Sequence, residues 1–396
     1  MLIAQSGGPT VVINQSLVGA IKEARRHAAI RKVYGSLHGI QGILGEDFID
    51  LGREPDATLE AVAATPSSML GSVRKKPTSD DCLRMLEIIK KNDIRYFFYI
   101  GGNDSADTTF IINREAMKSR YDFRCYHICK TIDNDLREND HTPGFGSGAR
   151  FVALAFMGDN LDNRALPGVK INIIMGRHAG FLTAASALAR HYPDDGPHLI
   201  YLPERAFSMR RFVEDVKRVV KTQGRCVVAV SEGITDHHGK PILGQNRSEM
   251  DSHGNIQLSG TGALGDKLAG EIREKTDIQR VRADTFGYLQ RSFAGVYSEV
   301  DAREAREAGR KAVQFSLNGP PHGSVAIKRK PGKKYQARFK RVPLRNVAKE
   351  TRHMPDSFIG SQGNDVTDAF IRYARPLVGK LPTMGRFTNI PVPPVD

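Results

Sequence analysis

Short apolar runs alternate with amphipathic stretches along almost the whole chain. Residues 2–4, 96–100, 126–129, 170–174, 198–202 and 225–230 have the length and composition of buried strands. Residues 33–35 and 48–50 read as shorter extended pieces. Between them, Val12, Ile13, Leu17 and Ile21 recur at helical spacing and predict a helix over 11–27. Residues 79–91 read as a capped helix, and 180–190, 209–223 and 301–318 as further helices. Single strands alternating with helices are the signature of βαβ units, so the pattern predicts an α/β fold.

Several of these strands run into polar turns. Residues 2–4 lead to Ser6-Gly7-Gly8-Pro9, residues 96–100 to Gly101-Gly102-Asn103-Asp104-Ser105, and residues 126–129 to Lys130-Thr131-Ile132-Asp133-Asn134-Asp135. In open α/β sheets ligands bind at the carboxyl ends of the strands. A glycine-rich turn there offers backbone N–H groups to a phosphate. Two carboxylates two positions apart offer a general base and a partner for a metal. Together these features point to phosphoryl transfer. Taken alone, each has a plainer reading: Gly-Gly-Pro as a simple turn, Asn103-Asp104 as a helix cap, Asp133-Asn134-Asp135 as a structural or Ca²⁺-like turn, although the EF-hand spacing is absent.

The 396 residues suggest two or three domains. No apolar run approaches the length of a membrane span, and the first residues lack the basic and apolar regions of a secretory signal. The cysteines, Cys82, Cys125, Cys129 and Cys226, form no Cys-x-x-Cys pair. They read as core residues in a reducing compartment rather than as a zinc site. The net charge of +14 fits anionic substrates or nucleic acid. The densest basic stretch, 328–345, carries no nucleic-acid motif and alternates with apolar residues like a solvent-facing hairpin. Neither a nucleic-acid nor a membrane partner is expected. The chain ends in a Pro-rich tail around Pro394.

These turns, with others in chain order between residues 2 and 300, resemble the phosphofructokinase family, and specifically its pyrophosphate-dependent branch; the last part of the chain matches less closely. The resemblance implies two Rossmann-like domains facing across an active-site cleft. It places the phosphoryl-donor domain at 1–142 plus 292–345, and the acceptor domain at 143–291 plus 346–396. On the donor side it implies roles for Gly8, Arg74 (in Gly71-Ser72-Val73-Arg74, with Lys75 and Lys76 adding charge), Gly102, Asp104, Ser105 and Lys130, with Mg²⁺ at Asn103. The family commonly has Asp at the position of Asn103, so Asp104 is expected to share the metal's place. Asp133 is implied as the base that takes the proton from the sugar 1-hydroxyl, supported by Thr131, Ile132 and Asp135. Met175-Gly176-Arg177 resembles the substrate loop, with Arg177 stabilising the transferred group. Glu232 is implied to bind the sugar, and Arg282, Tyr288 and Arg291 its 6-phosphate, Arg282 reaching into a neighbouring subunit of a homodimer or homotetramer. Where ATP-dependent members usually have Gly, this chain has Asp104 and Lys130. The implied activity is therefore reversible transfer from pyrophosphate to fructose 6-phosphate in a cytoplasm. An ATP-dependent 6-phosphofructokinase and an inactive sugar-phosphate-binding homologue are the alternatives.

Overall fold

The computed structural model describes residues 1–74, 77–243, 261–332, 334–348, 351–388 and 390–392; Lys75, Lys76 and the tail at Pro394 lie outside them. The chain enters through β1 (Leu2–Gln5), α1 (Ile13–Ala24), β2 (Tyr34–Ser36), α2 (Ile40–Gly45), β3 (Phe48–Asp50), α3 (Asp56–Ala64) and α4 (Ser79–Lys91). It continues through β4 (Tyr96–Gly101), α5 (Asn103–Lys118) and β5 (Arg124–Cys129). The helix expected over 79–91 has those bounds because a local capping box sets its start. Thr78 Oγ1 accepts from Asp81 N at 3.1 Å, and Asp81 accepts from Thr78 N at 3.0 Å.

A second set follows: α6 (Phe145–Ala165), β6 (Val169–Ile174), α7 (Phe181–Ala184), β7 (Leu199–Tyr201), α8 (Met209–Gln223), β8 (Cys226–Ser231), α9 (Ala263–Lys275) and β9 (Val281–Thr285). The helix expected over 180–190 is instead α7 followed by a 3₁₀ turn, Ala185–Ala189. Ser186 Oγ donates to Thr183 O at 2.6 Å, a bond that competes with continued α winding. The chain then runs through α10 (Leu289–Ser292), α11 (Glu299–Asn318), the hairpin β10 (His322–Arg329) and β11 (Ala337–Val342), and ends on α12 (Asp368–Val378).

These strands build two sheets. One has the order β11-β10-β5-β4-β1-β2-β3, parallel except for the edge strands β3 and β11. The other is parallel throughout, in the order β7-β8-β6-β9. The basic stretch read as a hairpin contributes β10 and β11, and β10 pairs with β5. The adjacent strands β5, β4 and β1 therefore present their three following turns side by side. The adjacent strands β6 and β8 do the same for Met175–Arg177 and Glu232. A core cluster around α6, with Phe145, Phe156, Phe181 and Phe370, joins Ile132 to the second layer and to α12. No helix among the described residues is long and apolar enough to cross a membrane.

Candidate active site

The turns after β1, β4 and β5 enclose a cavity of about 260 Å³. It is lined by Gly8, Arg74, Gly102, Asn103, Asp104, Ser105, Lys130, Thr131, Ile132, Asp133, Asp135, Met175 and Arg291, together with Ser6, Gly7, Pro9, Val73 and Thr108. Thus every expected donor-side residue meets the acid-rich turn in one concavity. At Gly8 the approach is close: an added Cβ would lie 2.9 Å from Arg291 Nη1, so the end of that side chain would have to shift.

Lys130 is buried, 2% exposed, which excludes a surface lysine. Its Nζ donates to Gly8 O at 2.7 Å. Burial first, and then the charge of Arg291, lower its pKa to about 7, with Asp133 and Asp135 opposing. Asp104 sits in the first turn of α5, where the N-cap is Gly102 and no side chain caps. Asp133 N donates to Thr131 Oγ1 at 3.1 Å, which folds the turn tightly. Burial raises the pKa of Asp133, against the nearby charges of Lys130, Arg177, Arg291 and Arg74. Asp135 is raised to about 7 by burial and by the charge of Asp133. Asn103 Nδ2 donates to Asp135 Oδ2 at 3.2 Å, while its Oδ1 is buried without a hydrogen-bond partner.

The other expected residues are placed differently. Arg177 lines a second cavity, about 460 Å³, with His178, Glu204, Gly233, His353 and Met354. Gly176 has φ +135, and an added Cβ would lie 2.6 Å from Ala179 O, so the turn ahead of Arg177 requires glycine. Glu232 is buried after β8, its N–H bound to Ile174 O at 2.9 Å. Arg282 is exposed on the edge strand β9, and Tyr288 is 38% exposed; among the described residues neither lines these two cavities. Arg291, which the resemblance groups with the 6-phosphate, lies against the turn at Gly8. Its Cζ sits 4.3 Å from the Tyr288 ring centroid. Burial and the charge of Arg74 lower its pKa to about 10.

Sequence reasoning missed the supports. Gln290 Oε1 accepts from Met175 N at 3.2 Å and holds the start of the Met175–Arg177 turn; it stands beside Arg291 in the motif and could have been flagged. Thr108, four residues after Asp104, lines the cavity and bonds Asp104 O at 2.9 Å. Helical spacing from Asp104 was the available signal.

A sequence model described as phosphofructokinase matches residues 1–316. A pyrophosphate–fructose 6-phosphate 1-phosphotransferase of Rhodospirillum rubrum is 57% identical over 382 residues, covering 96% of this chain and 94% of the relative. One from Xanthomonas campestris is 38% identical over 387 residues, covering 96% and 91%. A solved pyrophosphate-dependent phosphofructokinase from Marinobacter aquaeolei superposes with a TM-score of 0.86 at 32% identity, covering 99% of this chain and 94% of that one. The match runs through every turn of the cavity, and the chain belongs to the phosphofructokinase family.

Proposed function

We propose that this chain transfers a phosphoryl group reversibly from inorganic pyrophosphate to the 1-hydroxyl of fructose 6-phosphate, giving fructose 1,6-bisphosphate and phosphate. The observation that carries the donor choice is Lys130, buried on the cavity wall beside Gly8 with a lowered pKa. A compact polyanion would satisfy Lys130, Arg74 and Arg291 together, whereas the longer phosphate chain of a nucleotide would be opposed by the Asp104 carboxylate in the same lining. The names of the Rhodospirillum and Xanthomonas relatives agree with this choice.

In the proposed reaction Asp133 takes the proton from the attacking hydroxyl; burial raises its pKa, which strengthens it as a base. Arg177 and Lys130 stabilise charge on the phosphoryl group as it leaves one oxygen for another. Thr131, Ile132, Asp135, Met175, Gly176 and Glu232 shape the acceptor side, and Gly8, Arg74, Gly102 and Ser105 the donor side. Mg²⁺ fits at Asn103, whose buried Oδ1 lacks a partner, with Asp104 beside it. When bound, the ion would neutralise phosphate charge. Among the described residues no cluster of three or more His, Cys, Asp or Glu side chains could hold a metal.

The proposed division is a donor domain of 1–142 plus 292–345 and an acceptor domain of 143–291 plus 346–396; the strand order supports it, since β1–β5 and β10–β11 form one sheet and β6–β9 the other. The exposed Arg282 on an edge strand suits a role across a subunit boundary in a homodimer or homotetramer. The four cysteines are free and buried, in keeping with a cytoplasmic enzyme. The deciding experiment is a donor swap with fructose 6-phosphate: turnover is expected with pyrophosphate and little with ATP. Preference for ATP at equal concentration would overturn the donor choice.

A further inference from the structure

Behind the Thr131–Asp135 turn lies a second group of polar side chains, turned away from the cavity. Asn134 adopts left-handed backbone, φ 60. Its Nδ2 donates to Tyr373 Oη at 2.7 Å, and its Oδ1 accepts from Thr142 N at 3.1 Å. Thr142 Oγ1 donates to Thr131 O at 2.8 Å. The Arg352 guanidinium donates to Asn134 O at 2.6 and 3.2 Å and to the carbonyls of Asn139 and Asp140, while Arg352 N donates to Asp135 O at 2.6 Å. Tyr373 Oη donates to Asp140 O at 2.6 Å. The catalytic turn is therefore laced to the segment 139–142.

That segment is anchored in its turn by His141. The imidazole lies between Asp140 Oδ2 at 2.8 Å and Glu304 Oε2 at 2.6 Å, and Tyr335 Oη donates to Glu304 Oε1 at 2.6 Å. Arg329 reaches Asp140 Oδ2 at 3.3 Å and stacks on the rings of Tyr335 and Tyr373 at 4.8 and 4.9 Å. Asp301, which feels the His141 charge, accepts from Gly144 N and Ser147 N, both at 2.9 Å. Burial opposes a charge on His141, but the hydrogen bonds to Asp140 and Glu304 outweigh it and raise its pKa to about 9. Arg329, Tyr335, Arg352 and Tyr373 all lie beyond residue 316, where the family match ends.

We propose that the segment after residue 316 is a brace for the catalytic turn: Arg352 on the backbone carbonyl of Asn134 and Tyr373 on its side-chain amide, anchored through Arg329 and Tyr335 on the His141–Glu304 pair, hold Asn134 from behind and so set the reach of the Asp133 carboxylate. These are positioning residues, and the proposal rests on Asp133 as the base. A loss of alignment of the order of an ångström at a reacting group costs about 10²-fold in rate.

The test is Tyr373→Phe in the full chain. The change removes the hydroxyl bridging Asn134 and Asp140 and keeps the ring against Phe145, Phe181 and Phe358. The expected result is a roughly 10- to 100-fold fall in kcat per folded enzyme, little change in KM for either substrate, and a moved acid limb of the kcat–pH profile. A role in stability alone would lower Tm and leave kcat and its pH profile at wild-type values; that result overturns the brace. Should Tyr373→Phe fail to fold, Tyr335→Phe, which removes one hydroxyl from Glu304, replaces it with the same readouts and a smaller expected loss. Asp133→Ala separates the two readings. If it is inactive while both tyrosine variants keep wild-type kcat, only the brace fails. If it keeps wild-type kcat, the base assignment fails first.

Discussion

The two faces of the Thr131–Asp135 turn bury comparable charge and treat it in opposite ways. In front, Lys130 is enclosed beside Arg74 and Arg291, its hydrogen bond goes to a neutral carbonyl, and its pKa falls to about 7. Behind, His141 is enclosed between two carboxylates, and its pKa rises to about 9. Burial acts on both in the same direction, so the difference lies in the partners. A charge balanced in place stabilises the fold. A lysine buried with its hydrogen bond on a neutral carbonyl costs stability, and an anionic ligand beside it offsets that cost, as expected where function is bought with strain in the electrostatics.

The largest test of that contrast is on the front. Asp133→Ala should cut kcat by about 10²–10⁴-fold, the usual worth of a positioned acid–base group, and move substrate KM far less. Steady-state kinetics with pyrophosphate decide it. Near-wild-type kcat would remove Asp133 from the reaction.

Next in size is Lys130→Met, which keeps the buried stem and deletes the charge. It should lower kcat with pyrophosphate by about 10²–10³-fold, comparable with losing one preorganised electrostatic contact, and at the same time raise Tm. The sign follows from linkage. The folded-state pKa of Lys130, about 7, lies below its ordinary 10.5, so its cost is full below pH 7 and disappears as pH rises toward 10.5. The Tm gain of Lys130→Met should therefore shrink across that window. His141→Gln should do the reverse at the back. Its folded pKa of about 9 exceeds 6.5, so its stabilisation is full below pH 6.5 and is lost as pH rises through 9. Thermal melts of both variants against wild type, from pH 6 to the alkaline end, should give difference curves of opposite slope; equal slopes would refute the contrast. Asp104→Gly sharpens the front further. It should admit ATP and weaken use of pyrophosphate, read from the ratio of kcat/KM for the two donors.

The front was legible in the sequence and the back was not, for a physical reason. Front residues sit in short turns directly after strands, so a few consecutive residues carry the signal, as they do for α4 with its local capping box. The back is assembled from residues far apart in the chain. His141 meets Glu304 across 163 positions and Asn134 meets Tyr373 across 239. The same applies to α6, which the hydrophobic pattern did not reveal. Its start is rich in glycine, and its first N–H groups are satisfied by Asp301, more than 150 positions away. The burial of Lys130 was equally hidden, because a lysine in a polar turn has the pattern of a surface residue. The resemblance grouped Arg291 with the 6-phosphate, but its position against Gly8 joins residues far apart in the chain and leaves no local pattern.

The smallest expected effects concern that lean. The family resemblance groups Arg291 and Tyr288 at the 6-phosphate, whereas the structure sets Arg291 over Gly8 among the donor-side residues, with Tyr288 stacked on its outer face. From its place beside Gly8 and Tyr288 we predict that Arg291 serves both substrates. A charge-assisted phosphate contact is worth about 1.5–3 kcal/mol, so Arg291→Ala should raise KM by roughly 10- to 100-fold, for pyrophosphate as well as for fructose 6-phosphate. Tyr288→Phe retains the stacked ring and loses only a neutral hydroxyl, worth about 0.5–1.5 kcal/mol, and should change the fructose 6-phosphate KM by no more than about 10-fold with the pyrophosphate KM unmoved. Measuring both KM values for both variants separates the roles. If Arg291→Ala weakens fructose 6-phosphate alone, the guanidinium swings away from Gly8 when the sugar binds, and the front of the turn is held by Lys130 and Arg74 without it.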